Sequence, residues 1–227
     1  APDSELRVRA AIRHVLSAAC EQGHCYLSRE QISIQVEELL NLSLTQAIPD
    51  HLATMAKEDQ LKIRVLPEAK TGVAVPCYYA KSLYFDEDSV ARRLATAVGK
   101  RGVEAQRVAD WVHRFTSGQG MALSTEQVEA VCRVVDQRCS ILTGGPGCGK
   151  TTTTKVIVAL FQAMHQRVLL TAPTGRAAQR MGEVIGCEAK TIHRQLEYQG
   201  SGLKRNEENP LQADFLIVDE SSLLDIS

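Results

Sequence analysis

At 227 residues the chain holds one large domain or two modest ones. An apolar fraction of 44% supplies an ordinary core, and a formal net charge of −1 excludes a globally basic nucleic-acid binder, so any such contact must be a local patch. Aromatic residues make up only 4%, which argues against a broad base-stacking platform, and no run is long and apolar enough to span a bilayer.

The opening "APDSELRVRA" has no apolar secretory core. It also lacks an initiator methionine, and the closing "SSLLDIS" runs out without a turn or cap, so the chain is expected to be a piece of a longer one. Along "SELRVRAAIRHVLSAACEQG", Leu6, Val8, Ile12, Val15, Leu16 and Ala19 recur at helical spacing, and Gly23 supplies a stop. Cys20, His24 and Cys25 give a faint hint of zinc, with no second pair to complete a site. Seven cysteines without a C-x-x-C pair are expected to be free thiols in a reducing cytoplasm.

A second helix opens at Ser28, where Gln31 three residues on completes a capping box. "TQAIPDHLATMAKEDQ" reads as a third, with Pro49 in its first turn. "LKIRVL" alternates, which buries Leu61, Ile63 and Val65 and turns Lys62 and Arg64 to water. After a turn through Thr71 and Gly72, "VAVPCYYA" returns as a strand that Pro76 assigns to an edge. Three helices followed by a hairpin form a winged-helix-like pattern, related to the helix-turn-helix. Its third helix is not basic, so packing or partner docking is favoured over DNA reading, although both stay open.

"DEDSVARRLATAV" and "EAQRVADWVHRF" read as connecting helices, with Trp111 as core, and "TSGQG" as the domain boundary. The expected division is therefore a helical, winged-helix-like domain over 1–84, connecting helices over 85–120 and a second domain over 121–227. From residue 121 the pattern changes to alternating helices and unbroken apolar strands: "CSILT", "RVLLTA" and "DFLIVDE". That is an α/β domain with a parallel sheet covered on both faces by helices.

Between the first of these strands and its helix lies "GGPGCGKTTTT". Gly144, Gly149, Lys150 and Thr151 occupy every fixed position of a P-loop, with Gly145, Pro146, Gly147 and Cys148 between them and Thr152 following. Glycines let successive amides point at phosphate oxygens, and the helix dipole adds to the attraction. Lys150 is expected to reach the β- and γ-phosphates of ATP and Thr151 to hold Mg²⁺. Asp219, at the end of "FLIVDE", is the second Mg²⁺ residue, and Glu220 is the general base. An acidic pair at a strand end also serves as a helix cap, and that use remains open.

The ordered run "LSTEQVEAV…ILTGGPGCGKTTT…LLTAPTGRAAQRM…KTIHRQL…FLIVDESSLLD" resembles the RecD-like DNA helicases of superfamily 1, in the order of their Q motif and motifs I, Ia, Ib and II. The amino-terminal "VRAAIRHVLSAACEQGHCYLSREQ" resembles the stand-alone members more than the subunit of the exonuclease V complex. The resemblance implies a RecA-like first motor domain and an ATP-dependent, 5′→3′ helicase acting in DNA repair and recombination. It implies that Gln127 binds the adenine edge, though Ser124 and Gln127 also spell a capping box. It further implies single-stranded DNA contacts from Pro173, Thr174, Arg176, Thr191 and His193, each of which also reads as ordinary turn or surface chemistry. Duplex junctions are the expected DNA partner, and no membrane is. With later motifs absent from this stretch, the chain alone is expected to bind ATP–Mg weakly, hydrolyse it slowly and unwind nothing. A different P-loop ATPase or kinase, and a non-catalytic DNA- or protein-binding module, remain alternatives.

Overall fold

The first helical period becomes α1 (Glu5–Glu21), which buries Val8, Ala11, Ile12, Val15, Leu16 and Ala19. Leu6, one turn outside the core, stays 79% exposed. Gly23, at a left-handed φ of +82°, ends the helix, and a short strand β1 (Tyr26–Ser28) leads into α2 (Arg29–Leu40). The capping box forms: the Gln31 amide donates to Ser28 Oγ at 3.2 Å, and the Ser28 amide to Gln31 Oε1 at 2.8 Å. Helix α3 (Ile48–Lys57) carries Pro49 in its first turn, where the missing N–H costs nothing. Thr45, where that helix was expected to begin, lies outside the described residues, which are 4–44, 46–68, 71–200 and 202–226. Strands β2 (Leu61–Pro67) and β3 (Ala74–Ala80) complete an antiparallel sheet of order β1-β3-β2. The chain order helix, strand, two helices and hairpin is that of a winged helix.

Two expectations about this hairpin fail for reasons of packing. Pro76 sits in the central strand, not at an edge. Strand β1 ends its register at Ser28 opposite Cys77, so its ladder has already stopped where the proline lacks an amide. Of the three apolar residues alternating on β2, only Leu61 reaches the core, while Ile63 is 40% and Val65 62% exposed. Lys62 and Arg64 are the half-buried ones. Helix α4 (Lys81–Ala97) lays aromatic and acidic groups over their face. The Arg64 guanidinium stands 4.6 Å from the Tyr84 ring centre and 3.0 Å from Asp88, and the Lys62 amine 5.4 Å from the Phe85 ring centre. Tyr79 donates to Glu87 at 3.0 Å, and burial pushes its hydroxyl pKa up. Cation–π contacts and ion pairs do here what aliphatic packing was expected to do on the other face.

The contacts divide the chain into two units, one running to Arg93 with Asp225 and its neighbours, the other Leu94–Leu224. The division falls inside α4, whereas "TSGQG" only closes α5 (Ala105–Gly118). Trp111 and Phe115 of α5, stacked with centres 4.9 Å apart, pack against the same cluster as α6 (Thr125–Asp136) and α7 (Lys150–Ala163). The connecting helix α5 and the P-loop domain therefore share one core, centred on Val108, Val112, Val131, Val135, Val156 and Phe161.

This second unit is α/β. Strands β4 (Val168–Ala172), β5 (Ala189–Thr191) and β8 (Phe215–Val218) form a parallel sheet of order β5-β4-β8, with α8 (Gly175–Ile185) as the crossover from β4 to β5. One face, through Val168, Leu170 and Ile217, packs on Val158 of α7 and on Met181 and Ile185 of α8. The other is covered less fully than expected: Thr171 is buried, but Leu216 is 45% exposed. The return from β5 to β8 makes only a single-turn helix α9 (Ile192–Gln195) and a hairpin of β6 (Tyr198–Gln199) and β7 (Gly202–Leu203). Neither is long enough to lie across the sheet.

The run "CSILT" is not a strand, and Ile141 is 88% exposed. The chain entering it is taken up elsewhere. Gln137 bridges to Lys100, the Arg138 amide donates to the Gly99 carbonyl, and Asp136 Oδ1 accepts the amides of Gly102 and Val103. No helix among the described residues is long and apolar enough to cross a membrane.

Candidate nucleotide-binding site

Four consecutive threonines are poor helix formers, yet α7 begins with them. Two are satisfied by bonding back to the preceding turn: Thr153 Oγ1 donates to the Gly149 carbonyl at 3.1 Å and Thr154 Oγ1 to that of Lys150 at 2.9 Å. Thr151 and Thr152 stay exposed at the loop mouth. The helix is then held by burial of Val156, Ile157, Val158, Leu160 and Phe161. Apolar side chains of this size contribute about 1.5–3 kcal/mol each when fully buried.

Ahead of it, Gly147 and Gly149 take φ of +78° and +72°, the left-handed turns that curl the loop. Gly149 is the N-cap and brings no side chain to the first-turn amides, which are left for another acceptor. Lys150 Nζ folds into the loop and donates to the carbonyls of Gly144 at 2.7 Å and Gly145 at 2.9 Å. The loop thus offers unpaired amides beside a movable ammonium, a cradle that fits an anion and its counter-charge.

Gln127 reaches this loop from α6. Its capping box with Ser124 forms, with the Ser124 amide donating to Oε1 at 2.9 Å and its own amide to Ser124 Oγ at 3.3 Å. The side-chain Nε2 then donates to the Cys148 carbonyl at 3.1 Å. Reading the sequence found the cap but not this third contact, which joins residues 21 positions apart.

The acidic pair stands past the end of β8. The Asp219 amide continues the parallel ladder by donating to the Thr171 carbonyl at 2.9 Å, and Asp219 Oδ1 accepts the Glu220 amide at 2.9 Å. Glu220 holds a left-handed φ of +50°, a conformation that costs a non-glycine residue on the order of 1–2 kcal/mol and recurs at functional sites. It occupies the N-cap position of a 3-10 turn (Ser221–Leu223) without a side-chain cap bond, so its carboxylate is not used as a capping group. Asp219 and Glu220 are both exposed. The carboxyl ends of parallel strands are where α/β sheets bind ligands.

The remaining residues gather at the same strand ends. Pro173 is half-buried directly after β4. Thr174 caps α8, accepting the Ala177 amide at 3.2 Å, and Thr191 caps α9, accepting the Arg194 amide at 3.3 Å. Arg176 is exposed and makes no ion pair among the described residues. His193, also exposed, stands edge-on to Tyr198 with ring centres 5.8 Å apart. The side-chain hydrogen bond from Thr171 to the Lys190 carbonyl, 2.9 Å, ties β4 to β5 beneath them. The site residues thus form two groups, one around the glycine loop with Gln127 and one at the ends of β4, β5 and β8. No hydrogen bond or ion pair among the described residues joins Lys150 or Thr151 to Asp219 or Glu220.

A glycine loop closing on a lysine at a helix N-terminus, with an acidic pair ending a parallel strand of the same domain, defines a P-loop nucleoside-triphosphatase domain. Residues 127–227 match a family described as an AAA domain. The chain is 33% identical to the ATP-dependent RecD2 DNA helicase of Deinococcus radiodurans over 98% of its own length and 31% of that protein. It is 30% identical to the RecBCD enzyme subunit RecD of Haemophilus influenzae over 64% of this chain and 24% of that subunit. With RecD of Mycobacterium tuberculosis it shares 32% identity over 45% of its length and 22% of the relative's. The chain belongs to the RecD-like helicase family, and it spans a third or less of the length of these relatives.

Proposed function

We propose that the chain is the nucleotide-binding part of an ATP-dependent DNA helicase of the RecD-like type. The observation that carries this is the glycine loop built on Lys150, in one domain with Asp219 and Glu220, in a chain that aligns along 98% of its length with a protein named as such a helicase.

The amides at the start of α7 hold the phosphate oxygens of ATP. Lys150 leaves the carbonyls of Gly144 and Gly145 and pairs with the β- and γ-phosphates. The Thr151 hydroxyl and the Asp219 carboxylate are hard oxygen donors of the type Mg²⁺ takes alongside phosphate and water. When bound there, the ion neutralises charge on the phosphates. Glu220, free of a capping bond, accepts the proton of the attacking water. Gln127 contacts the adenine edge with the amide hydrogen that its protein partners leave over. Pro173, Thr174, Arg176, Thr191 and His193 follow the backbone of single-stranded DNA near a duplex junction. Thr174 and Thr191 do so with their hydroxyl hydrogens, because their oxygens cap helices. Translocation runs 5′→3′, in DNA repair and recombination, and the seven free thiols suit a reducing, cytoplasmic setting.

The test is ATP hydrolysis by the full-length protein with and without single-stranded DNA. Strong stimulation is expected, with DNA binding that weakens steeply with salt because phosphate contacts release counterions. Arg176→Ala is expected to weaken binding evenly across sequences and to lower the salt slope by about one. Hydrolysis indifferent to DNA sinks the helicase reading.

A further inference from the structure

The Cys148 carbonyl is the only group in the loop gripped by a side chain from another helix among the described residues, and the gripping atom is Gln127 Nε2 at 3.1 Å. The rest of the Gln127 side chain has no freedom to do otherwise. Its Oε1 accepts the Ser124 amide at 2.9 Å, and since that amide can only donate, the opposite atom of the Gln127 side-chain amide must be the nitrogen, which faces Cys148. The approach is possible only because residue 149 is glycine. A Cβ there would lie 2.4 Å from Gln127 Nε2, far inside contact distance. The second loop glycine therefore does two things at once, taking φ of +72° and making room for Gln127.

In a trans peptide the carbonyl and the amide N–H of one unit lie in the same plane and point in opposite directions. Holding the Cys148 carbonyl toward α6 therefore turns the Gly149 N–H the other way. No acceptor for that N–H exists among the described residues. We propose that Gln127 is a positioning residue for the phosphate loop: by holding the Cys148 carbonyl against α6, it aims the Gly149 amide into the hollow that receives phosphate. The proposal rests on the nucleotide reading above and gives Gln127 a task separate from contact with adenine. In this arrangement the sequence pair Gln127 and Gly149 is one device, held in place by the bond from the Ser124 backbone amide to Gln127 Oε1.

A ligand without a base separates the two tasks. Inorganic tripolyphosphate, ATP and GTP, each with magnesium, are titrated calorimetrically into the protein and into Gln127→Ala. Loss of one hydrogen bond is expected to weaken tripolyphosphate and ATP alike, by about three- to ten-fold, leaving the ratio of ATP to GTP affinity unchanged. Ser124→Ala is the control for the cap: it removes Oγ but leaves the Gln127 grip on Cys148, so it lowers the melting temperature without changing tripolyphosphate affinity. The proposal is overturned if Gln127→Ala binds tripolyphosphate as wild type does while ATP affinity falls, since that is base reading. It is equally overturned if Ser124→Ala loses as much tripolyphosphate affinity as Gln127→Ala, since that is fraying of α6. Wild-type protein that binds neither tripolyphosphate nor ATP strikes the nucleotide reading itself.

Discussion

Ser28-Arg29-Glu30-Gln31 and Ser124-Thr125-Glu126-Gln127 open α2 and α6 with the same two reciprocal bonds, whose lengths agree within 0.1 Å. In the amino-terminal unit the motif makes no further side-chain hydrogen bond among the described residues. Around it Val8, Ile12, Ile32, Ile48, Leu52 and Met55 close a core with almost no exposure. In the P-loop unit the same motif gives its spare N–H to the glycine loop, where Lys150 is only half-buried, and two carboxylates stay exposed past the end of β8. A region whose polar groups are satisfied internally is a scaffold. A region built to the same rules that leaves donors unpaired in one place is a binding site.

Core truncations strain this contrast most. Phe161→Ala removes a fully buried ring stacked 4.0 Å from Phe215 and supporting α7. Its expected cost is about 3–5 kcal/mol, with loss of nucleotide binding, because the loop is anchored to that helix. Leu52→Ala, equally buried in the other unit, is expected to cost about 2–5 kcal/mol and to leave nucleotide affinity in the surviving folded protein untouched. Chemical denaturation and calorimetry of the two variants check this; nucleotide affinity that falls with Leu52→Ala breaks the division of labour. A smaller effect sharpens it. Ser28→Ala is expected to cost about 1 kcal/mol, as a lost N-cap does, with no change in tripolyphosphate affinity.

Legibility of the sequence followed how local each cause was. Capping boxes, the glycine loop and the helical periods of α1 and α7 depend on residues within a turn or two of each other, and they read directly. The β2 alternation misled because a period of two says which residues share a face, not how far the core extends or what α4 brings to the other side. Pro76 misled for a similar reason: its tolerance depends on where β1 stops. The apolar "CSILT" has strand composition, but a strand needs a ladder partner, and the chain beside it is bonded to 99–103 instead. At the site, the placement of Lys150 at the start of a helix and of Asp219 and Glu220 just past the end of a strand was legible from the local pattern. The link from Gln127 to Cys148 was not, because nothing in either segment announces the other.

The central claim is that the loop from Gly144 to Thr151 holds a triphosphate with Lys150 as its counter-charge. Titration of the protein and of Lys150→Ala with ATP and magnesium tests it most directly. Removing one partner of a buried charge-assisted pair costs about 2–5 kcal/mol, so the variant is expected to lose affinity by at least about thirty-fold while its melting temperature in the absence of nucleotide stays near that of the wild type. Equal affinity in the two proteins contradicts the account.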